Sequence, residues 1–123
     1  MNYLPIFIDI KQQPCLVVGG GDIALRKINL LLKANAAITC VSKEFCDGIE
    51  KLVKDNKITR IEKAFEATDI NTQVLIVSAT DDSDLNAQVS ALAKTANIPV
   101  NVVDSPDLCS FVMPSIVDRS PIV

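Results

Sequence analysis

The sequence predicts an α/β protein built on a doubly wound parallel sheet, and three observations predict it. Short apolar runs alternate with helical patterns of about a dozen residues, the arrangement that strand–helix–strand crossovers produce. Runs such as Cys15-Leu16-Val17-Val18 and Val74-Leu75-Ile76-Val77 are apolar throughout, as strands covered by helices on both faces are, whereas a one-sided sheet alternates. A glycine cluster, Gly19-Gly20-Gly21, joins the first such run to the first helical pattern.

The elements follow in order. After the strand at 15–18, residues 22–34 place Ala24, Ile28, Leu31 and Leu32 on one stripe, with Arg26, Lys27 and Lys33 off it. A second strand is expected at 37–41. A helix at 45–54 gathers Phe45, Ile49, Leu52 and Val53 on one face, and the half-polar strand at 58–61 suits a sheet edge. The strand at 74–77 is the most apolar and is expected in the interior of the sheet. Leu85, Val89, Leu92, Ala93 and Ala96 form another helical stripe, and 99–103 returns as a strand. The expected strand order is 3-2-1-4-5, followed by a C-terminal strand segment in the apolar tail 111–123, inside which the chain looks cut short. No repeat, linker or low-complexity tract divides residues 1–123, which read as one domain.

Composition narrows the function. The chain has 123 residues, 49% of them hydrophobic, but no apolar run approaches the roughly 18 residues of a membrane span. A net charge of −3, from 12 basic and 15 acidic residues, lacks the positive footprint that nucleic-acid binding needs. The opening Met1-Asn2-Tyr3-Leu4-Pro5 has no basic segment and resembles no signal peptide, so a cytoplasmic location is expected. Cys15, Cys40, Cys46 and Cys109 show no C-x-x-C spacing and there is no histidine, so no metal site is expected and the thiols read as reduced and structural. Cys109 stands out by falling near the candidate site. Without histidine the Ser-His-Asp and Cys-His mechanisms are also closed, and proton transfer falls to Asp, Glu, Lys, Tyr or Cys.

Gly19-x-Gly21-x-x-Ala24 between a strand and a helix is the dinucleotide fingerprint of a Rossmann-type fold. Gly19 permits the turn out of the strand, Gly21 lets backbone approach a pyrophosphate, and Ala24 allows close helix packing. The N–H groups of the helix start, aided by its dipole, receive the anion. The cofactor expected is a dinucleotide, NAD or NADP, with Gly19, Gly20 and Gly21 at the pyrophosphate. The second strand ends in Ser42-Lys43-Glu44, with no acid where the ribose hydroxyls are usually gripped. Glu44 can serve from two residues on, or Lys43 can tolerate a 2′-phosphate, or both are solvated loop charges. Thr80, Asp81 and Asp82 leave the interior strand toward the same edge and can touch the cofactor ribose, or Asp82 and Ser83 can cap the next helix, and the two roles can coexist.

Tyr3-Leu4-Pro5-Ile6-Phe7, Val17-Val18-Gly19-Gly20-Gly21-Asp22-Ile23-Ala24-Leu25-Arg26-Lys27, Ala79-Thr80-Asp81-Asp82, Asn101-Val102-Val103-Asp104, and the run from Ser110-Phe111-Val112-Met113-Pro114 to Asp118-Arg119-Ser120-Pro121 carry a further likeness. Along essentially its whole length the chain resembles the precorrin-2 dehydrogenase/sirohydrochlorin ferrochelatase module of siroheme synthases. The resemblance implies NAD contacts at Asp22, Ile23, Lys43 and Glu44, and Asp104 as the general base. It implies a tetrapyrrole substrate (precorrin-2, then sirohydrochlorin), Fe²⁺ as a reactant of ferrochelation, and a homodimer whose partner completes the site. The family's dimerisation region, which follows the Rossmann part, is not among these 123 residues.

The chemistry is coherent from below. Asp104 falls at the carboxyl end of the fifth strand, the edge where open α/β sheets bind ligands. Removing two hydrogens from precorrin-2 sends a hydride to NAD and a proton to a base, and a carboxylate can be that base. Burial is expected to raise its pKa above the ~3.9 of a free aspartate; the alternative is that Asp104 only caps the turn into Ser105-Pro106. Arg26, Lys27, Ser110 and Arg119 are candidates for a rim that receives substrate carboxylates. Two other readings share the glycine loop: an NAD(H)-sensing regulatory domain without catalysis, and an unrelated small NADP-dependent reductase. Neither accounts for Asn101-Val102-Val103-Asp104 or the segment 111–121.

Overall fold

The computed structural model describes residues 3–113. Five strands, β1 (Pro14–Val18), β2 (Ala37–Ser42), β3 (Thr59–Glu62), β4 (Leu75–Ser78) and β5 (Val100–Val102), form one sheet in the order β3-β2-β1-β4-β5, every pairing parallel. Helices α1 (Asp22–Lys33), α2 (Asp47–Lys54) and α3 (Ser83–Thr95) connect them, with single 3-10 turns at Ala67–Asp69 and Pro106–Leu108. This is the doubly wound Rossmann-type sheet that the alternation of elements predicts.

Side chains along β1 alternate between two cores. Cys15 and Val17 join Ala24, Ile28 and Leu31 of α1 and Ile49 of α2, whereas Leu16 and Val18 join Val89 and Ala93 of α3. Both sets are buried, so β1 is apolar at each of these positions. Burial pushes the Cys15 thiol up to about 11; burial first and neighbouring Cys46 second push Cys40 up to about 12. All four cysteines are free thiols.

The three helices end alike. Asn35, Asn56 and Asn97 take left-handed φ values of 61°, 59° and 58° just past the C-caps. The next N–H in each case reaches back to Leu31, Leu52 or Ala93, closing the last turn with a six-to-one hydrogen bond. Each chain segment then turns directly toward the following strand.

Several boundaries differ from expectation. Helix α2 starts at Asp47, not Phe45, because Cys46 holds an extended cap conformation and its N–H donates to the Gly20 carbonyl at 2.7 Å. Helix α3 starts two residues before Leu85, since Asp82 supplies its cap. It also buries two polar residues, Asn86 and Ser90, while Ala96 of the expected stripe is exposed. Residues 111–113 are not strand; the rest of the expected C-terminal strand segment lies outside the described residues. No helix of the described residues is long and apolar enough to cross a membrane.

The edges of the sheet are treated differently. Strand β3 is exposed throughout and carries Arg60, which pairs with Glu50 of α2 and with Glu62. Beside β5, the segment following Asp104 folds back: Val100 N–H donates to Ser110 Oγ, Ser110 N–H to the Val100 carbonyl, and Val102 N–H to Cys109 Sγ.

Candidate cofactor site

The carboxyl ends of the strands open into a cleft of about 1140 Å³. The glycine loop forms its centre. Gly19 has φ +127°, open to glycine, and a Cβ there would lie 2.3 Å from the Ala79 carbonyl oxygen. A Cβ on Gly20 would lie 1.8 Å from the Glu44 carbonyl oxygen. These two glycines are therefore demanded by the protein's own packing, because the loops after β2 and β4 close on them from either side. The Cys40 thiol supports the loop from beneath, donating to the Gly19 carbonyl at 3.0 Å.

Gly21 is different. Its φ of −95° suits any residue, and a Cβ there would meet no atom within 4 Å. Nothing in the described protein requires glycine at this position. It is also the N-cap of α1 and offers no side-chain hydrogen bond, so the first-turn N–H groups face the cleft without a side-chain partner. An uncapped helix start beside space kept free of a Cβ fits a dinucleotide's pyrophosphate.

The structure brings the expected cofactor residues together. Gly19, Gly20, Gly21, Asp22 and Ile23 line one stretch of the cleft, Ser42, Lys43 and Glu44 a second, and Thr80 and Asp81 a third, with Asp104 on the same wall system. Ile23 is 44% exposed and lays an apolar surface at the rim. Lys43, Glu44 and Asp81 are exposed, and Ser42 Oγ accepts from the Glu44 N–H at 3.4 Å. The Thr80 hydroxyl is engaged within its own loop, at 2.7 Å from Asn86 Oδ1 and accepting from the Asp82 N–H. What Thr80 offers a ligand is thus mainly its backbone and methyl group. Asp82 caps α3, accepting from the N–H groups of Asp84 and Leu85.

Asp104 stands just past β5 with φ +54°, a conformation aspartate tolerates better than most residues. The expected burial is not found: the strand ends at Val102, and Asp104 is exposed on the cleft rim. Nor does its carboxylate cap the following turn, for it makes no hydrogen bond among the described residues. No described residue competes with a ligand for the group.

Other expectations fall away from the cleft. Arg26 and Lys27 do not line it, and Ser110 is bound to the opposite end of β5. Arg119 lies outside the described residues. Cys109 does not face a ligand; its sulfur accepts from Val102 N–H and lies 3.2 Å and 3.4 Å from the carbonyls of Val102 and Ser105. Among the described residues no cluster of His, Cys, Asp and Glu could hold a metal ion.

The cleft's charge is lopsided. Asp22, Glu44, Asp81, Asp82, Asp84 and Asp104 line it against Lys43 and Lys63, and Lys63 is held by Asp69 and Glu66. Those two carboxylates raise the Lys63 pKa, the hydrogen bond to Asp69 most. Anion binding here therefore relies on backbone N–H groups, not on a basic side-chain cluster. Sequence reasoning missed Asn86 and Phe65, both on the lining; a polar residue on the stripe side of α3 was the only available signal for the first.

Fold and cleft together define an NAD(P)-binding domain. A family described as "Putative NAD(P)-binding" matches residues 6–115. The chain is 72% identical over its full length to a siroheme synthase of Ruthia magnifica subsp. Calyptogena magnifica, and 51% identical to one of Nitrosomonas europaea, also over its full length. It spans about a quarter (26%) of the length of each of those relatives. A solved structure, SirC, precorrin-2 dehydrogenase, superposes with a TM-score of 0.78 at 27% identity, covering 98% of this chain and 59% of that one. The chain belongs to the NAD(P)-binding family so described, and it is similar over its whole length to one stretch of the siroheme synthases.

Proposed function

We propose that the chain, as a single dinucleotide-binding domain, carries out NAD-dependent dehydrogenation of precorrin-2 to sirohydrochlorin. The observation that carries this reading is Asp104, a carboxylate with no hydrogen-bond partner among the described residues, on the rim of a dinucleotide cleft, in a chain similar to siroheme synthases. The glycine loop and the start of α1 hold the pyrophosphate, and the Ser42-Lys43-Glu44 turn and the loop with Asp81 flank the two riboses. NAD, when bound, supplies the hydride acceptor. Asp104 takes the proton that leaves the substrate, so the two hydrogens lost are accounted for as one hydride and one proton.

A tetrapyrrole with many carboxylates is poorly matched to the six acids that the described residues place on this lining against Lys43 and the paired Lys63, so the positive rim must come from outside the described residues. That mismatch supports a homodimer in which a partner subunit completes the site. Fe²⁺ enters this reading as a substrate of the later chelation, and the free thiols suit a cytoplasmic setting.

The test is a chain extended to the length of its siroheme synthase relatives, mixed with NAD and precorrin-2 and followed by tetrapyrrole absorbance. Turnover is expected for the native sequence. Asp104→Asn should lower kcat by about 100-fold or more while leaving NAD affinity within about twofold. Full rates in that variant would remove Asp104 from the chemistry.

A further inference from the structure

Set into the cleft wall, with Asn86 on the lining and Ser78 behind it, is a polar cluster that packing alone does not explain. Asn86, in the first turn of α3, is 6% exposed, and Ser78, the last residue of β4, is 0% exposed. A buried amide is costly unless its groups are bonded, and asparagine is a weak helix former, so its presence here calls for a reason. Asn86 Oδ1 lies 2.7 Å from both the Ser78 and the Thr80 hydroxyls, and Nδ2 donates to the Thr80 carbonyl at 3.0 Å. One side chain thus ties the end of a strand, the loop beyond it and the following helix.

Between the two tied residues sits Ala79. Its N–H donates to the Val18 carbonyl at 2.8 Å, and its own carbonyl occupies the space a Cβ on Gly19 would need. The position of this loop is therefore transmitted directly to the glycine loop. The strand order β2-β1-β4 puts the β2 turn on one side of Gly19 and the Asn86-tied loop on the other. A dinucleotide's adenosine half goes to the β2 side, which leaves the nicotinamide half to the β4 side.

We propose that Asn86 is a positioning residue for dinucleotide binding, fixing Ala79 and Thr80 against the glycine loop so that the half-site on the β4 side is preformed. The proposal rests on the cleft binding a dinucleotide. Loss of the amide frees the loop to shift, and small displacements of a preformed site have large effects on what it holds. The adenosine side, held by separate residues, should be spared.

The test compares NAD and AMP affinities by calorimetry for the 123-residue chain and for Asn86→Ala and Ser78→Ala, each well below its melting temperature. Asn86→Ala should weaken NAD by roughly tenfold and AMP by less than about twofold. Ser78→Ala removes one hydroxyl from behind the wall without touching the cleft, and should weaken NAD about threefold; the double variant should fall short of the product of the two. If Asn86→Ala fails to fold, Ser78→Ala decides. Lower melting temperatures with unchanged NAD affinity would overturn the proposal, as would equal losses for NAD and AMP. A native chain that binds no NAD would overturn the reading of the cleft itself, and the proposal with it.

Discussion

Helices α1 and α3 both begin at the carboxyl edge of the sheet, and they begin in opposite ways. Helix α1 has glycine at its cap, no side chain among the described residues bonded to its first turn, and open space in front. Helix α3 has Asp82 at its cap, with the carboxylate accepting from two of its N–H groups. A helix start that is to bind an anion must leave its donors free, whereas one that only builds the wall is better served by its own side chain. The difference separates the part of the edge kept for a ligand from the part that supports it.

The comparison can be broken most severely at Gly20. Gly20→Ala drives a Cβ into the Glu44 carbonyl and should destabilise the fold by about 3 kcal/mol, lowering the melting temperature by roughly 10 °C. A melting curve like the native one would show that the β2 loop does not close on the glycines. Next comes Gly21→Asp, which gives α1 the cap that α3 has. NAD affinity should drop about 100-fold, since a carboxylate now occupies the anion's place, while stability stays within about 0.5 kcal/mol of native. A titration and a melt of the same preparation separate the two effects. Asp82→Ala, the reciprocal change, should cost about 1 kcal/mol in chemical denaturation.

A further effect is pH-dependent and reaches the open start through Cys40. Cys40, which donates to the Gly19 carbonyl, holds its proton up to about 12, against an ordinary value of 9.0. Its contribution is complete below about pH 9 and declines as pH rises from there toward 12, because the unfolded thiol ionises first. Denaturation at pH 8 and pH 10.5 should show a loss to which Cys40 contributes about 2 kcal/mol, removed in Cys40→Ala, with Cys15 responsible for part of the remainder.

Much of this was legible in the sequence. Strand order, the apolar stripes of α1 and α3, and the three stretches that line the cleft follow from periodicity and from where the glycines stand. Gly21 and Gly19 were indistinguishable as letters; only the surroundings separate a glycine its neighbours require from one they do not. The roles of Asn86 and Cys109 were hidden because each depends on residues brought close by folding, such as Ser78 against Asn86 and Val102 against Cys109. The exposure of Asp104 was missed because β5 stops two residues before it. Asparagine at 35, 56 and 97 was a stop signal for all three helices that the reading by apolar stripes passed over.

Both margins of the sheet are guarded, one by the charges on β3 and the other by the returning segment at Cys109 and Ser110. A guarded margin offers little template on which a neighbouring molecule could extend the hydrogen-bonded ladder. Self-association of this chain would therefore have to proceed through side-chain surfaces, and the exposed Leu4, Ile6 and Phe7 are the largest apolar ones the described residues present near its beginning.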